Sequence, residues 1–182
     1  MGHIKRDWII IDSLADIILK NSKGCVVEIG IGVSAEVLFE HAKNFKRTMY
    51  SCDVSKRKCK WARVIGVDSV FLGTSFDFIK KFSENNVALI LIDGDHKYST
   101  VIEEVNFFLP RLSWGGVMFL HDTMKQSWDQ VYLKTGTSDS YLVRQELEAR
   151  DDLMVFTWPY TAVDFGLTMV MKKEENVPLF RR

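Results

Sequence analysis

Five residues able to move protons or bind cations stand in two short blocks. Asp93, Asp95 and His96 belong to Leu91-Ile92-Asp93-Gly94-Asp95-His96, and His121 and Asp122 close Gly115-Gly116-Val117-Met118-Phe119-Leu120-His121-Asp122. Each block extends or directly follows an apolar run, 87–92 in one case and 117–120 in the other. If those runs are parallel strands they end on one edge, and the five side chains converge although Asp93 and Asp122 are 29 residues apart. Ionisable groups gathered at a sheet edge are costly to desolvate unless they pair or hold a metal. Oxygen-rich ligation of this kind suits Mg²⁺ or Mn²⁺, with water in the open positions.

A second constellation lies upstream, in Glu28-Ile29-Gly30-Ile31-Gly32-Val33-Ser34-Ala35. Gly30 and Gly32 allow a tight turn and a close approach of backbone to ligand. With Ala35 the segment satisfies the G-x-G-x-x-G/A dinucleotide fingerprint. Charge separates the cofactors that such a loop could hold. A pyrophosphate would meet the carboxylate of Glu28 and be repelled. S-adenosylmethionine carries an ammonium and a sulfonium and no phosphate, so Glu28 favours it. Asp53 follows Gly32 by 21 residues, close to the ~20 expected of a ribose-hydroxyl acceptor in either case. The bland alternative is that Glu28 caps a helix and Asp53 merely ends a strand.

These residues need a scaffold with one ligand-bearing edge. Ile4, Trp8, Ile11, Ala15 and Ile18 share a helical face, so residues 1–20 read as an N-terminal helix. From Cys25 onward strand-like and helix-like stretches alternate: helices at 34–43 (Ser34 as N-cap), 55–64 and 75–83, strands at 47–53, 67–72 and 87–92. The continuous run Val-Ala-Leu-Ile-Leu-Ile at 87–92 suits a strand buried on both faces. Thr100 and Glu103 have capping-box spacing before a helix that Pro110 closes. The pattern βαβαβαβαβ predicts an α/β, doubly wound, mostly parallel sheet with helices on both sides. Strand candidates at 152–157 and 165–171, after a helix at 141–149, suggest a C-terminal antiparallel hairpin around Trp158-Pro159-Tyr160. Residues 123–140 carry no clean period and include Trp128, Tyr132 and Gly136. A loop of that length is usually functional or disordered, and its aromatics favour a role in acceptor recognition. Trp61, Trp114 and Phe107-Phe108 read as core, and His41 as a surface residue.

Composition narrows the classes. The 182 residues carry 24 Lys+Arg against 24 Asp+Glu, without the basic excess usual in a nucleic-acid binder. Cys25, Cys52 and Cys59 form no C-x-x-C pair, which argues against a disulfide framework and for a reducing compartment. No apolar run approaches the ~20 residues of a membrane span, and the first residues lack a signal-peptide core. The expectation is a single cytoplasmic domain over 1–182, with no nucleic-acid or membrane partner.

Together the blocks Val27-Glu28-Ile29-Gly30-Ile31-Gly32, Asp53, Leu91–His96 and Gly115–Asp122 resemble class I S-adenosylmethionine-dependent methyltransferases. More narrowly they resemble the branch related to metal-dependent, catechol-type O-methyltransferases, over roughly residues 20–171. The resemblance implies a seven-stranded, Rossmann-like methyltransferase sheet with a terminal hairpin. It implies that Glu28, Gly30 and Gly32 line the methionine part of the cofactor and that Asp53 takes the ribose. Gly73-Thr74-Ser75-Phe76 is similar to the loop that cradles adenine, with Val54 on the ring face; Ser75 could equally be a helix N-cap. It further implies a divalent ion, Mg²⁺ or Mn²⁺, on Asp93, His121 and Asp122, with Asp93 also near the cofactor. His121 departs from the catechol enzymes, which carry a carboxylate there. That departure shifts preference toward softer ions, or means that His121 only hydrogen-bonds Asp93. His96 falls where the family places its general base, and an imidazole is suited to take a hydroxyl proton near neutral pH.

The leading expectation is methyl transfer to a hydroxyl oxygen of a small molecule, with His96 and Asp93 as catalytic residues. A nicotinamide-dependent oxidoreductase is the alternative, opposed by Glu28 and by the lack of a Tyr-x-x-x-Lys pair. A non-catalytic cofactor-binding module is the third reading. With little chain left for a lid, either the acceptor is large and exposed or a homodimer partner closes the site.

Overall fold

The computed structural model describes residues 6–125, 139–159 and 166–173. Its strands are β1 (Cys25–Ile29), β2 (Met49–Asp53), β3 (Ser69–Leu72), β4 (Val87–Ile92), β5 (Leu112–His121), β6 (Leu153–Trp158) and β7 (Leu167–Lys172). The helices are α1 (Arg6–Asn21), α2 (Ser34–Asn44), α3 (Lys56–Ile65), α4 (Ser75–Ile79), α5 (Tyr98–Phe108) and α6 (Ser140–Glu148). One seven-stranded sheet runs β3-β2-β1-β4-β5-β7-β6. Strands β1 to β5 are parallel, and β7 is antiparallel to both β5 and β6. This is the doubly wound, seven-stranded sheet with a terminal antiparallel hairpin that the sequence pattern and the resemblance predict. The order reverses between β1 and β4, which is where such sheets place ligands.

Burial on both faces of β4 follows from its lack of alternation. Leu89 and Leu91 point into a core with Trp8 and Ile11 of α1, Leu38 of α2 and Cys59 of α3. Ile90 and Ile92 point into a second core with Phe78 of α4, Val101 and Phe108 of α5, and Val143 of α6. Fully burying an aliphatic side chain of this size is worth roughly 1.5–3 kcal/mol, so the middle strands anchor both layers. Cys25, Cys52 and Cys59 are free and buried. Among the described residues no helix is long and apolar enough to cross a membrane.

Several local expectations need correction. Ser34 is not the N-cap of α2: Val33 holds that position without a side-chain cap, and the Ser34 hydroxyl donates to Glu28 at 2.6 Å. Helix α4 stops at Ile79, well short of residue 83. Thr74 rather than Ser75 caps α4, its hydroxyl accepting from the Asp77 N–H. Helix α5 begins at Tyr98, so Thr100 and Glu103 lie inside it and form no capping box. The Thr100 hydroxyl instead donates to Asp95 at 3.1 Å. Trp114 is exposed and not core. Most of the aperiodic segment, 126–138, and Tyr160 of the turn lie outside the described residues.

Candidate active site

The glycine loop rises from β1 on the ligand edge. Gly30 has φ +87°, and a Cβ there would meet the Asp93 carbonyl at 2.1 Å. Its lack of a side chain therefore lets the chain turn against the end of β4. Gly32 is different: a Cβ would touch only the Ser34 hydroxyl, at an ordinary 3.5 Å. The fold does not require that glycine, which leaves room above the loop. Glu28 does not face that room. It is fully buried, and its carboxylate accepts from the Ser34 hydroxyl at 2.6 Å and the Ser51 hydroxyl at 2.9 Å. Burial pushes its pKa up to about 7, held back by those two donors.

A cleft of about 400 Å³ opens over the carboxyl ends of β1, β2 and β4, within the size range of small-ligand sites. Of the expected cofactor residues, Gly30, Asp53, Val54 and Asp93 line it. Thr74, Ser75 and Phe76 form the opposing wall. Glu28 and Gly32 are not part of its lining. Asp53 is buried at the end of β2 and ties the loops together. One oxygen accepts from the Ile31 N–H at 2.9 Å and meets Lys58 Nζ at 3.2 Å, and the other accepts from the Ser55 N–H at 2.6 Å. Val54 and Phe76 leave large apolar surface exposed at the rim. The lining carries the carboxylates of Asp53, Asp93, Asp95 and Glu104 against the single ammonium of Lys58.

Beside the cleft, the ends of β4 and β5 bring together Asp93, His96, His121 and Asp122. His121 Nδ1 lies 2.9 Å from Asp93 Oδ1 and 3.1 Å from Asp122 Oδ1. His96 Nε2 is 3.7 Å from Asp93 Oδ1 and 3.5 Å from Asp122 Oδ2. His121 is buried, its ring stacked on Trp8 of α1 at 5.3 Å between centroids and 15° between planes. His96 is more open, with 27% of its side chain exposed. Asp122 has φ +56°, a left-handed conformation that costs of order 1 kcal/mol or more unless its surroundings hold it. Among the described residues no group of three or more His, Cys, Asp or Glu side chains is arranged to hold a metal ion. The His121 imidazole lies against both carboxylates.

Sequence reasoning missed Lys58, Thr100, Glu104 and Trp8. An acid at position 104 falls on the helical face set by Val101, Val105 and Phe108, a signal that could have been read. Trp8 was legible as apolar, though not as the partner of a histidine over a hundred residues away.

A methyltransferase-domain family profile matches residues 27–123, from β1 to just past β5. The chain belongs to that family. A search of curated proteins found no match. Solved structures with the same fold include cofactor-bound Rv0187 from MTB, 17% identical, covering 96% of this chain and 83% of that one with a TM-score of 0.72. The O-methyltransferase TomG from Streptomyces achromogenes, in complex with SAM, is 12% identical, with 95% and 82% covered and a TM-score of 0.68. An O-methyltransferase from Bacillus cereus in complex with SAH is 16% identical, with 94% and 83% covered and a TM-score of 0.67. At these identities the likeness is one of fold.

Proposed function

We propose that the protein transfers a methyl group from S-adenosylmethionine to a hydroxyl oxygen of a small molecule. The observation that carries this reading is the charge of the cleft: four carboxylates and one lysine at the switch point of a methyltransferase-family sheet. Such a lining disfavours a dinucleotide pyrophosphate and suits a cationic ligand without phosphate. The open space over Gly32 and the apolar rim at Val54 and Phe76 give room for backbone approach and for a flat base. Asp53 would accept from the ribose hydroxyls, with Ile31, Ser55 and Lys58 holding its carboxylate in place.

When bound, the cofactor supplies an electrophilic methyl on sulfonium and leaves as the thioether. The chain has to hold the acceptor oxygen in line with that carbon and remove its proton. His96 is the base: it is partly exposed beside the cleft-lining Asp93, and the carboxylates of Asp93 and Asp122 near Nε2 stabilise the imidazolium formed when it takes the proton. His121, clamped by Trp8, keeps both carboxylates aimed. A second reading places a divalent ion on Asp93, His121 and Asp122. Their convergence favours it, and it requires the imidazole to turn away from its carboxylate contacts.

Calorimetry tests the cofactor: S-adenosylhomocysteine should bind and NAD should not, and the reverse would overturn the reading. Transfer to a panel of hydroxylated small molecules, with and without chelator, tests the chemistry. His96→Ala should lower turnover by roughly 10²–10⁴-fold while leaving S-adenosylhomocysteine affinity within about twofold. Activity lost in chelator and restored by Mn²⁺ or Mg²⁺ would favour the ion.

A further inference from the structure

Glu104 lies on α5, fully buried, and lines the cleft four residues after Thr100, which shares its helical face and also lines it. Neither carboxylate oxygen of Glu104 has a hydrogen-bond partner. Native structures leave few buried polar side chains in that state, and each unmet acceptor costs about 1–3 kcal/mol. An unmet acceptor in the wall of a binding cleft marks a place where a ligand donor is expected. The neighbours narrow the ligand. Ser75 and Phe76 of α4 form the adjoining wall, so the donor would belong to whatever stands against an exposed phenyl ring.

We propose that Glu104 is the specificity residue for the purine base of the cofactor, accepting a hydrogen bond from the exocyclic amine of adenine and rejecting a 6-oxopurine. The inference rests on the reading of the cleft as an S-adenosylmethionine site. A 6-oxo base would set its carbonyl oxygen against a buried carboxylate, acceptor against acceptor. An adenine would set an N–H there and satisfy the group. Burial pushes the Glu104 pKa up to about 7; the nearby Ser75 hydroxyl opposes that rise without forming a well-aligned hydrogen bond to either oxygen. Ionised, the carboxylate offers acceptors only; protonated, its O–H could also serve a 6-oxo group, so the discrimination belongs to the ionised form and is measured at pH 8.5. Sites that pair a buried polar group discriminate strongly against a ligand that leaves it unpaired.

The test is calorimetry with two probes, S-adenosylhomocysteine and its deaminated analogue S-inosylhomocysteine, on the whole protein. The wild type should prefer the adenine compound by tenfold or more. Glu104→Gln, which keeps the shape and adds an amide donor able to serve the 6-oxo group, should narrow that preference to about threefold or less. Glu104→Ala should narrow it mainly by weakening S-adenosylhomocysteine. A tenfold preference retained in Glu104→Gln would overturn the assignment and leave the cofactor reading standing. So would a wild type that binds both probes equally. Binding of neither probe to the wild type would instead remove the cofactor reading, and this inference with it.

Discussion

Glu28 on β1 and Glu104 on α5 are both fully buried, and burial pushes both to a pKa of about 7. Glu28 has a serine hydroxyl on each oxygen, at 2.6 and 2.9 Å. Glu104 has no hydrogen-bond partner on either. Equal burial of the same residue type therefore serves two ends. On the β1 side the carboxylate is spent inside the protein, tying the glycine loop to β2. On the α5 side it is left unpaired within the wall of a cleft. Burial alone does not tell a structural acid from a ligand-binding one; the count of satisfied acceptors does.

The largest effect should come from taking away what distinguishes Glu28. Ser34→Ala with Ser51→Ala would strip both donors from a buried carboxylate, at a cost of roughly 2–5 kcal/mol. Urea denaturation at pH 8 should show that loss. Ser75→Ala, beside Glu104, should cost less than about 1 kcal/mol, because no well-formed bond is lost there. Similar losses in both experiments would erase the distinction.

Removing the charge from Glu104 should have a smaller effect of opposite sign. Its folded pKa of about 7 lies above the ordinary 4.5. The stability tied to its protonated form is thus fully present below about pH 4.5 and lost as pH rises through 7. Glu104→Gln should therefore stabilise the ligand-free protein at pH 8 by roughly 2–3 kcal/mol and leave it unchanged near pH 4.5. Glu28→Gln should gain less, since its new amide must face two serines arranged to donate. A thermal unfolding series over pH 4.5–8 reads both variants. No gain for Glu104→Gln at pH 8 would mean that Glu104 has a partner in the free protein.

Much of this frame was legible in the residues. The run at 87–92 has no in–out alternation because helices cover both faces of β4, and that demand alone implies a three-layer α/β fold. The edge cluster could be anticipated because parallel strands end together. What escaped was decided by competition among short-range partners. Ser34 has the chemistry of an N-cap, but its hydroxyl is taken by Glu28. Thr100 has capping-box spacing, but its hydroxyl is taken by Asp95. Glu28 has the charge to greet an ammonium, yet two serines reach it from within. Each polar group had several chemically reasonable partners, and only packing chose among them.

The smallest effect belongs to a pair of acids that does not share the burial of Glu28 and Glu104. His41 on α2 meets Asp12 at 2.8 Å and Asp16 at 2.6 Å, one turn apart on α1. Both aspartates are more than half exposed. Burial pulls the His41 pKa down, but the bonds to Asp12 and Asp16 more than reverse this and the net shift is upward. Its contribution is therefore fully present below the ordinary histidine pKa of about 6.5 and lost as pH rises through the higher folded value. Solvent screening keeps it small, about 0.5 kcal/mol. His41→Asn should lower stability by that amount at pH 6 in low salt, and by nothing measurable at pH 9 or in 1 M salt. A loss of several kcal/mol, or one independent of pH, would mean that His41 holds α1 to α2 by packing. Pairing without burial would then no longer be the weak case against which the two glutamates stand out.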